Sequence, residues 1–230
     1  MKHTLIIFVF LIAIPVWAGT FRDDFEDGDY EGWKVALGKW EVNNGVLITK
    51  NDADFTVIDL GEETWRDYTI EFDGKVKSHQ GNYCIAGSVR SQQKDPKKGW
   101  AYYCIAANTG FGERIEASVY IDLNQYFGMT RIFDFALELD KWYKFKATIN
   151  EGKFNYYLDD KLVISTDWTD QPLSPNGIVE LWTRYPGEYW FDNVVITGSD
   201  IPNTGPSGFN SPFSVKSGNK LAITWGNIKK

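Results

Sequence analysis

The sequence predicts an all-β fold, and three observations support this prediction. Short segments with alternating polar and apolar residues follow one another along the chain, separated by turn residues. Beyond the N-terminal segment, apolar residues do not recur with a helical period over three turns. Aromatic residues make up 16% of the chain, more than a core alone requires, which indicates that some of them form a binding surface.

The N-terminal residues have the pattern of a secretory signal peptide. Lys2 provides a positive start, an apolar run follows from Leu5 to Val16, and a small residue stands at Ala18. The run is shorter than the roughly 20 apolar residues that span a bilayer, so an uncleaved anchor is the weaker alternative. We therefore expect residues 1–18 to be a signal peptide that sends the protein to the extracellular space or the periplasm.

The strand-like segments then follow in order. They are Trp40–Val42, Val46–Ile48, Asp54–Leu60, Tyr68–Lys77, Asn82–Arg90, Gly99–Asn108, Arg114–Asp122, Trp142–Ile149, Phe154–Leu158, Lys161–Ser165, Gly177–Thr183 and Tyr189–Thr197. Pro, Gly, Ser and Asn become frequent after Gly198, which is typical of a linker. The sequence therefore predicts one domain over residues 19–198 and a linker with a C-terminal tail over residues 199–230.

Charge and histidine content exclude several classes of function. The net charge of −7 argues against nucleic acid and against an anionic membrane surface as partners, since both need a basic face. Once the signal peptide is removed, His79 is the only histidine, so a histidine-rich metal site is excluded. The chain has neither a G-x-S-x-G nucleophile motif nor a phosphate-binding G-x-x-x-x-G-K-[ST] loop.

A set of ordered motifs resembles a known superfamily. The motifs are Phe21–Asp27 followed by Trp33, then Gly38–Leu47, Asn155–Lys161, Gly177–Trp182 and Phe191–Ile196. Their order is similar to that in the concanavalin A-like lectin/glucanase superfamily, and is closest to its laminin-G-like members and its 3-keto-disaccharide hydrolase-like domains. The resemblance covers about Phe21 to Thr197. It implies a jelly-roll sandwich of two antiparallel sheets, with a concave face that often holds sugar.

One departure from the superfamily concerns catalysis. The family 16 glucanases carry a strand with the pattern Glu-x-Asp-x-x-Glu, whose carboxylates perform the reaction. Here Glu138-Leu139-Asp140 is followed by Lys141-Trp142-Tyr143, so the third carboxylate is missing. Since a fold alone does not give an activity, the sequence favours a secreted, non-catalytic carbohydrate-binding module whose partner is a polysaccharide or glycan.

Strand alternation separates the two faces of the strands, and it assigns Ile115, Val119, Val179 and Leu181 to the core and Arg90 to the opposite face. It also predicts which side chains would bind that carbohydrate. One face of the strands combines aromatic rings, charged groups and small residues, the mixture that sugar recognition uses, and Trp182 is expected to be its exposed anchor. The predicted ligand-binding residues are Asn82, Ser88, Trp100, Tyr102, Arg114, Glu116, Glu180, Trp182 and Arg184. The alternative is an ordinary solvated sheet face with cross-strand ion pairs, such as Arg114 with Glu180.

Two other functions remain open. The first is a glycoside-cleaving enzyme (a glycosidase or 3-keto-disaccharide hydrolase-like) with Glu116 and Glu180 as the carboxylate pair, which would need to be about 5–9.5 Å apart. The second is a structural or adhesion domain without a small ligand.

The sequence also suggests a metal site and a disulfide. Asp23, Asp24 and Asp27 could bind a structural Ca²⁺, a hard ion that prefers oxygen ligands, and Asp192 would join them if the first and last strands are neighbours. The alternative is a solvated acidic turn, and no other cofactor is expected. Cys84 and Cys104 are predicted to form a disulfide across a hairpin that folds about Lys94, with two free thiols as the alternative.

Overall fold

Every regular element in the described residues is a β-strand. The computed structural model describes residues 18–52, 54–95, 99–122, 125–171 and 175–205, and it leaves out the side chains of residues 93–100 and 122–126. The strands are β1 (Gly19–Asp23), β2 (Lys34–Leu37), β3 (Trp40–Val42), β4 (Leu47–Asn51), β5 (Phe55–Leu60), β6 (Tyr68–His79), β7 (Cys84–Asp95), β8 (Gly99–Asn108), β9 (Arg114–Asp122), β10 (Gln125–Phe133), β11 (Tyr143–Asn150), β12 (Lys153–Leu158), β13 (Lys161–Asp167), β14 (Ile178–Arg184) and β15 (Gly187–Gly198).

The strands form two antiparallel sheets that pack face to face. The eight-stranded sheet has the order β13-β12-β11-β6-β15-β4-β3, with β1 beside β15. The seven-stranded sheet has the order β10-β9-β8-β7-β14-β5-β2. The predicted all-β sandwich of two antiparallel sheets is therefore confirmed. No helix in the described part of the chain is long and apolar enough to cross a membrane.

All twelve predicted strands are present, but three strands were missed. β1 lies at the start of an acidic segment, β2 has only 4 residues, and β10 is an edge strand. Apolar side chains of β10 such as Ile132 and Phe133 are substantially exposed, so its sequence lacks the clean alternation of a half-buried strand.

The core lies between the inward faces of the two sheets. The inward residues predicted for β9 and β14, such as Ile115, Val119 and Leu181, are fully or almost fully buried there. The rings of Phe72 and Phe145 stack at a centroid distance of 5.0 Å at its centre. Gly87 stands above them, and a Cβ at this position would come within 2.6 Å of the Phe72 ring, so the approach of the two sheets requires glycine here.

The tryptophans outside the predicted binding face pack as structural residues. Trp33 and Trp40 are buried in the core. Trp142 is 37% exposed and lies on the outer side of the eight-stranded sheet, 6.3 Å from Trp190. The ammonium group of Lys75 lies 4.6 Å from the first ring centroid and 3.9 Å from the second, so cation–π attraction holds these elements together.

The domain extends further than the sequence predicted. Ile201, assigned to a loose linker, is only 4% exposed and packs against the core. The backbone of Thr204 exchanges hydrogen bonds with Thr20 and Arg22 beside β1. Gly19 allows this contact, since a Cβ there would overlap the carbonyl oxygen of Ile201. Residues 1–17 of the predicted signal peptide and residues 206–230 of the predicted tail lie outside the described residues.

The predicted disulfide is wrong, because the β7–β8 register differs from the one expected. Cys84 lies opposite Asn108, and Cys104 lies opposite Ser88. Both cysteines are free and buried. An offset of four residues along the strand separates them by roughly 13 Å, whereas a disulfide needs Cα atoms within about 7 Å.

We therefore predict that the purified, unreduced protein contains two free thiols. In denaturant, both should react with a thiol reagent. In the folded protein both should react very slowly, because burial raises the pKa of the Cys84 and Cys104 thiols. Titration of folded and denatured protein checks this. Absence of reactive thiols in denaturant would show that the bridge forms after all.

Candidate functional site

The predicted binding face is the outward face of the seven-stranded sheet. Strand register places its side chains in rows that cross the sheet. One row runs Arg131, Glu116, Ala106, Ala86, Trp182 and Val57. The next row runs Ser118, Cys104, Ser88, Glu180, Asp59 and Lys34. Strands distant in sequence thus bring together most of the predicted site residues.

Four aromatic side chains follow one another across this face. Trp182 lies 5.9 Å from Phe55 and 6.2 Å from Tyr102, and Tyr102 lies 5.0 Å from Tyr120, measured between ring centroids. We call these four residues the aromatic band. Together with small residues of β7 and β8 they form a second apolar cluster, separate from the core between the sheets.

Trp182 points away from the core, as predicted, but it is not exposed. Only 8% of the residue is accessible, and its indole Nε1 donates a hydrogen bond to Ser88 Oγ at 2.7 Å. The ring can lean over β7 because its direct neighbour there is Ala86. The expectation of a freely exposed anchor is therefore wrong: removing this ring would open a cavity and cost stability, typically about 3–5 kcal/mol.

Glu116 lies on one flank of the face between two arginines. Its Oε2 accepts hydrogen bonds from Arg114 Nε at 2.7 Å and from Arg131 Nε at 3.2 Å. Glu116 and Arg114 are almost completely buried, while the Arg131 side chain is 36% exposed. The ion pair of Arg114 with Glu180, considered from the sequence, does not form; Arg114 pairs with Glu116 instead.

Glu180 and Asp59 lie side by side on the other flank. They are direct cross-strand neighbours in β14 and β5, 2% and 8% exposed. Burial raises the pKa of Glu180 to about 8, against the weaker effect of the Ser91 and Ser88 hydroxyls. Burial raises the pKa of Asp59 to about 6, and Lys34 opposes this shift. Within the described residues, Glu180 Oε1 and Asp59 Oδ1 have no hydrogen-bond partner.

The structure does not bring Glu116 and Glu180 together. Their strands, β9 and β14, are three strand spacings apart, which is roughly 14 Å between the backbones. A glycoside-cleaving pair needs carboxyl groups about 5–9.5 Å apart, and Glu116 is held by its arginines.

The remaining predicted residues lie around the rim. Arg184 Nε donates to Asp54 Oδ1 at 3.0 Å, and its guanidinium lies 4.9 Å from the Phe55 ring centroid. Asn82 is exposed just before β7. Trp100 belongs to β8, but its side chain lies outside the described residues.

Sequence reasoning missed Asp59, Phe55 and Arg131. The first two could have been found, because alternation along the predicted strand Asp54–Leu60 places Phe55, Val57 and Asp59 on one face. Arg131 could not have been found, because it belongs to the edge strand β10 that the sequence did not reveal.

A groove of about 490 Å³ lies away from this face, between the edges of the two sheets. Its walls are mostly apolar and include Ile115, Ile132, Leu158 and Leu162. None of the ligand-binding residues predicted from the sequence lines this groove.

The predicted calcium ligands take part in the protein's own hydrogen bonds. Asp23 is buried; its Oδ1 accepts from the Phe25 amide at 2.9 Å and its Oδ2 from Trp33 Nε1 at 2.8 Å. Asp24 and Asp27 each accept a backbone amide two residues ahead, and Asp192 accepts that of Asn193. Among the described residues, no group of three or more metal-binding side chains is close enough to hold an ion.

Calcium binding by Asp23, Asp24, Asp27 and Asp192 stays a prediction. A bound ion stabilises the folded state by mass action, so the melting temperature should rise with calcium. Melting curves recorded in chelator and in millimolar calcium test this, and superimposable curves would contradict it.

The buried carboxyl groups predict that stability falls as the pH rises. The pKa of Glu180 rises from 4.5 to about 8 on folding, so the folded chain binds more protons between these values. The free energy of unfolding is then largest below about pH 4.5 and should decrease by roughly 3 kcal/mol up to pH 7 through this one group.

Denaturant unfolding at several pH values between 4.5 and 8 measures this dependence. Glu180→Gln should flatten it, because glutamine stays neutral throughout. A stability that is constant or increases over this range would contradict the burial of a protonated Glu180.

Comparisons with known proteins agree with the architecture. The model of the 3-keto-alpha-glucoside-1,2-lyase-like domain family matches residues 20–197. No curated protein matches the sequence. Among solved structures, carbohydrate binding module CBM66 from Bacillus subtilis is 20% identical, with 72% of this chain and 95% of that chain covered and a TM-score of 0.54.

Two enzymes of known structure have the same fold. Bacillus licheniformis beta-glucanase is 12% identical, with 78% of this chain and 98% of that chain covered and a TM-score of 0.58. The Crh5 transglycosylase in complex with NAG is 14% identical, with 82% and 85% covered and a TM-score of 0.59. These likenesses identify a concanavalin A-like jelly roll, and the family match shows that the chain belongs to the 3-keto-alpha-glucoside-1,2-lyase-like domain family.

Proposed function

We propose that this protein binds a carbohydrate on the outward face of the seven-stranded sheet. The aromatic band carries the proposal, because ring faces can cover the apolar C–H surface of a pyranose. Polar groups flank the band on both sides, with Glu116 and Arg131 on one side and Asp59 and Glu180 on the other. A few placed polar groups around an apolar surface are the usual composition of a small-ligand site.

The rim of the band offers the first contacts for a ligand. Tyr120 and Phe55, at its two ends, are partly exposed, whereas Tyr102 and Trp182 between them are 8% exposed. We infer that the end rings contact the sugar directly, and that Trp182 supports them from beneath through its hydrogen bond to Ser88.

The similar proteins support the same class of ligand. The B. subtilis structure is a carbohydrate binding module, the B. licheniformis protein is a glucanase, and the transglycosylase was solved with NAG. These activities belong to those proteins, and they make carbohydrate the first ligand class to test here.

A glycan array of the purified chain tests the proposal. Tyr120→Ala and Phe55→Ala should each weaken binding of the preferred glycan roughly thirtyfold, the loss expected when an aromatic anchor worth about 2 kcal/mol is truncated. Trp142→Ala is the matched control, because it removes an exposed ring from the opposite sheet, and it should leave the affinity unchanged. A parent protein that binds no glycan, or a control that loses as much affinity, would refute the proposal.

A second candidate function is the cleavage of 3-keto-α-glucosides, favoured by the family match over residues 20–197. A lyase that breaks a C–O bond without water needs one group to accept a proton from carbon and another to protonate the leaving oxygen. Incubation of the chain with a 3-keto-α-glucoside, followed by detection of an unsaturated sugar, tests this candidate.

A further inference from the structure

Two carboxyl groups stand next to each other on the proposed binding face. Glu180 in β14 and Asp59 in β5 are direct cross-strand partners, and both side chains are on the outward side. Such partners have Cβ atoms about 4.5–5.5 Å apart, so the two carboxyl groups belong to one site. This contrasts with Glu116 and Glu180, which three strand spacings separate.

The pair is buried but incompletely hydrogen-bonded. Glu180 and Asp59 are more than nine-tenths buried, and each has one oxygen without a partner among the described residues. Leaving a buried polar atom unpaired is costly, because the atom has lost its hydrogen bonds to water without gaining others. Folding does not require this arrangement at a sheet surface, whereas a ligand that supplies the missing hydrogen bonds would account for it.

The pair also connects directly to the aromatic band. Ser88, whose Oγ accepts the Trp182 indole hydrogen bond, lies opposite Glu180 in the neighbouring strand β7. A sugar resting on the band would therefore reach the carboxyl groups without crossing another strand.

The two carboxyl groups differ in protonation at neutral pH. The pKa of about 8 keeps Glu180 protonated, while the pKa of about 6 leaves Asp59 ionised. Lys34 lies opposite Asp59 on β2 and favours its carboxylate form. One group can thus donate a proton while its neighbour accepts one, the division of roles that paired carboxyl groups perform in catalysis.

We propose that Asp59 and Glu180 are the acid–base pair of a catalytic site on this face, with Asp59 as the base and Glu180 as the acid. The proposal rests on the proposed function, since the sugar must first bind the aromatic band. It replaces the pair of Glu116 and Glu180 that the sequence suggested.

The step that the pair would perform is an elimination from a glycoside with a ketone at C3. Asp59 takes the proton from C2, which the adjacent ketone makes acidic. The electron pair of that C–H bond forms the C1–C2 double bond as the bond from C1 to the leaving oxygen breaks, and Glu180 protonates that oxygen. The products are an unsaturated keto sugar and an alcohol. Proton transfer from Asp59 to Glu180 then restores the starting state, which their adjacency permits.

Release of p-nitrophenol from p-nitrophenyl 3-keto-α-glucoside tests the proposal. Glu180→Gln and Asp59→Asn should each reduce kcat at least 100-fold, the usual contribution of a general acid or base. Asp73→Asn is the matched control, because Asp73 is a partly buried carboxyl group with a raised pKa on the eight-stranded sheet. It should leave kcat unchanged.

The variants should fold, since glutamine reproduces the shape and neutrality of protonated Glu180, and melting curves check this. If either variant is unfolded, the pH dependence of the parent protein tests the acid–base pair instead. The kcat/KM of the parent should increase with pH near pH 6, where Asp59 ionises, and decrease near pH 8, where Glu180 loses its proton.

The outcomes separate the two proposals. A parent that binds glycans but does not cleave the probe, or full turnover in Glu180→Gln or Asp59→Asn, would overturn the acid–base pair and leave the binding site standing. A parent that neither binds glycans nor cleaves the probe would overturn the proposed function itself.

Discussion

The site depends on the register of β14 between β5 and β7. Side chains alternate along a strand, so a slip of one residue would exchange Trp182 with Leu181 and move every site residue of β14 into the core. Val179 and Leu181 prevent such a slip, because both are fully buried between the sheets. The packing of the core therefore fixes which side chains the outward face presents, and it aligns Ser88, Glu180 and Asp59 in one row.

The polar groups of the outward face differ from those of a solvated sheet. A solvated face carries exposed ion pairs worth little, such as Lys50 with Glu41 in the eight-stranded sheet. Here Arg114 and Glu116 are almost completely buried, and Glu180 is buried with no ion-pair partner among the residues that the structure describes. Such groups are expensive to desolvate, so their concentration beside an aromatic band is better explained by a ligand than by stability.

The sequence predicted the parts of this arrangement that depend on one strand at a time. Alternation along β9 and β14 correctly assigned Ile115 and Leu181 to the core and Trp182 to the opposite face. Properties that depend on pairing between strands were not predictable. A bulge after Val89 turns Arg90 inward to bind Asp67, although its position in sequence suggested the outward face.

The cysteine prediction failed for the same physical reason. The β7–β8 register differs from the one that a turn about Lys94 would give, since Asp95 lies opposite Gly99, and this shift separates Cys84 from Cys104. The burial of Trp182 could not be predicted from the sequence either. Alternation gives the direction in which the side chain points, but it does not show whether neighbouring rings cover it. The carboxyl pair also escaped a search along single strands, since Asp59 and Glu180 are 121 positions apart and meet only across the β5–β14 ladder.

The two sheets use the same residue types in opposite ways. On the eight-stranded sheet, Lys75 lies between Trp142 and Trp190 and binds Asp140 at 3.2 Å, so the cation, both rings and the carboxylate satisfy one another. On the seven-stranded sheet, aromatic rings and carboxyl groups are again adjacent, but Glu180 Oε1 and Asp59 Oδ1 lack partners within the described chain. An aromatic cluster whose charged groups are paired with one another does not need a ligand to satisfy them. A cluster that leaves buried carboxyl oxygens unpaired beside its rings has the chemistry of a site, and this difference is the reason we propose the seven-stranded sheet as the functional face.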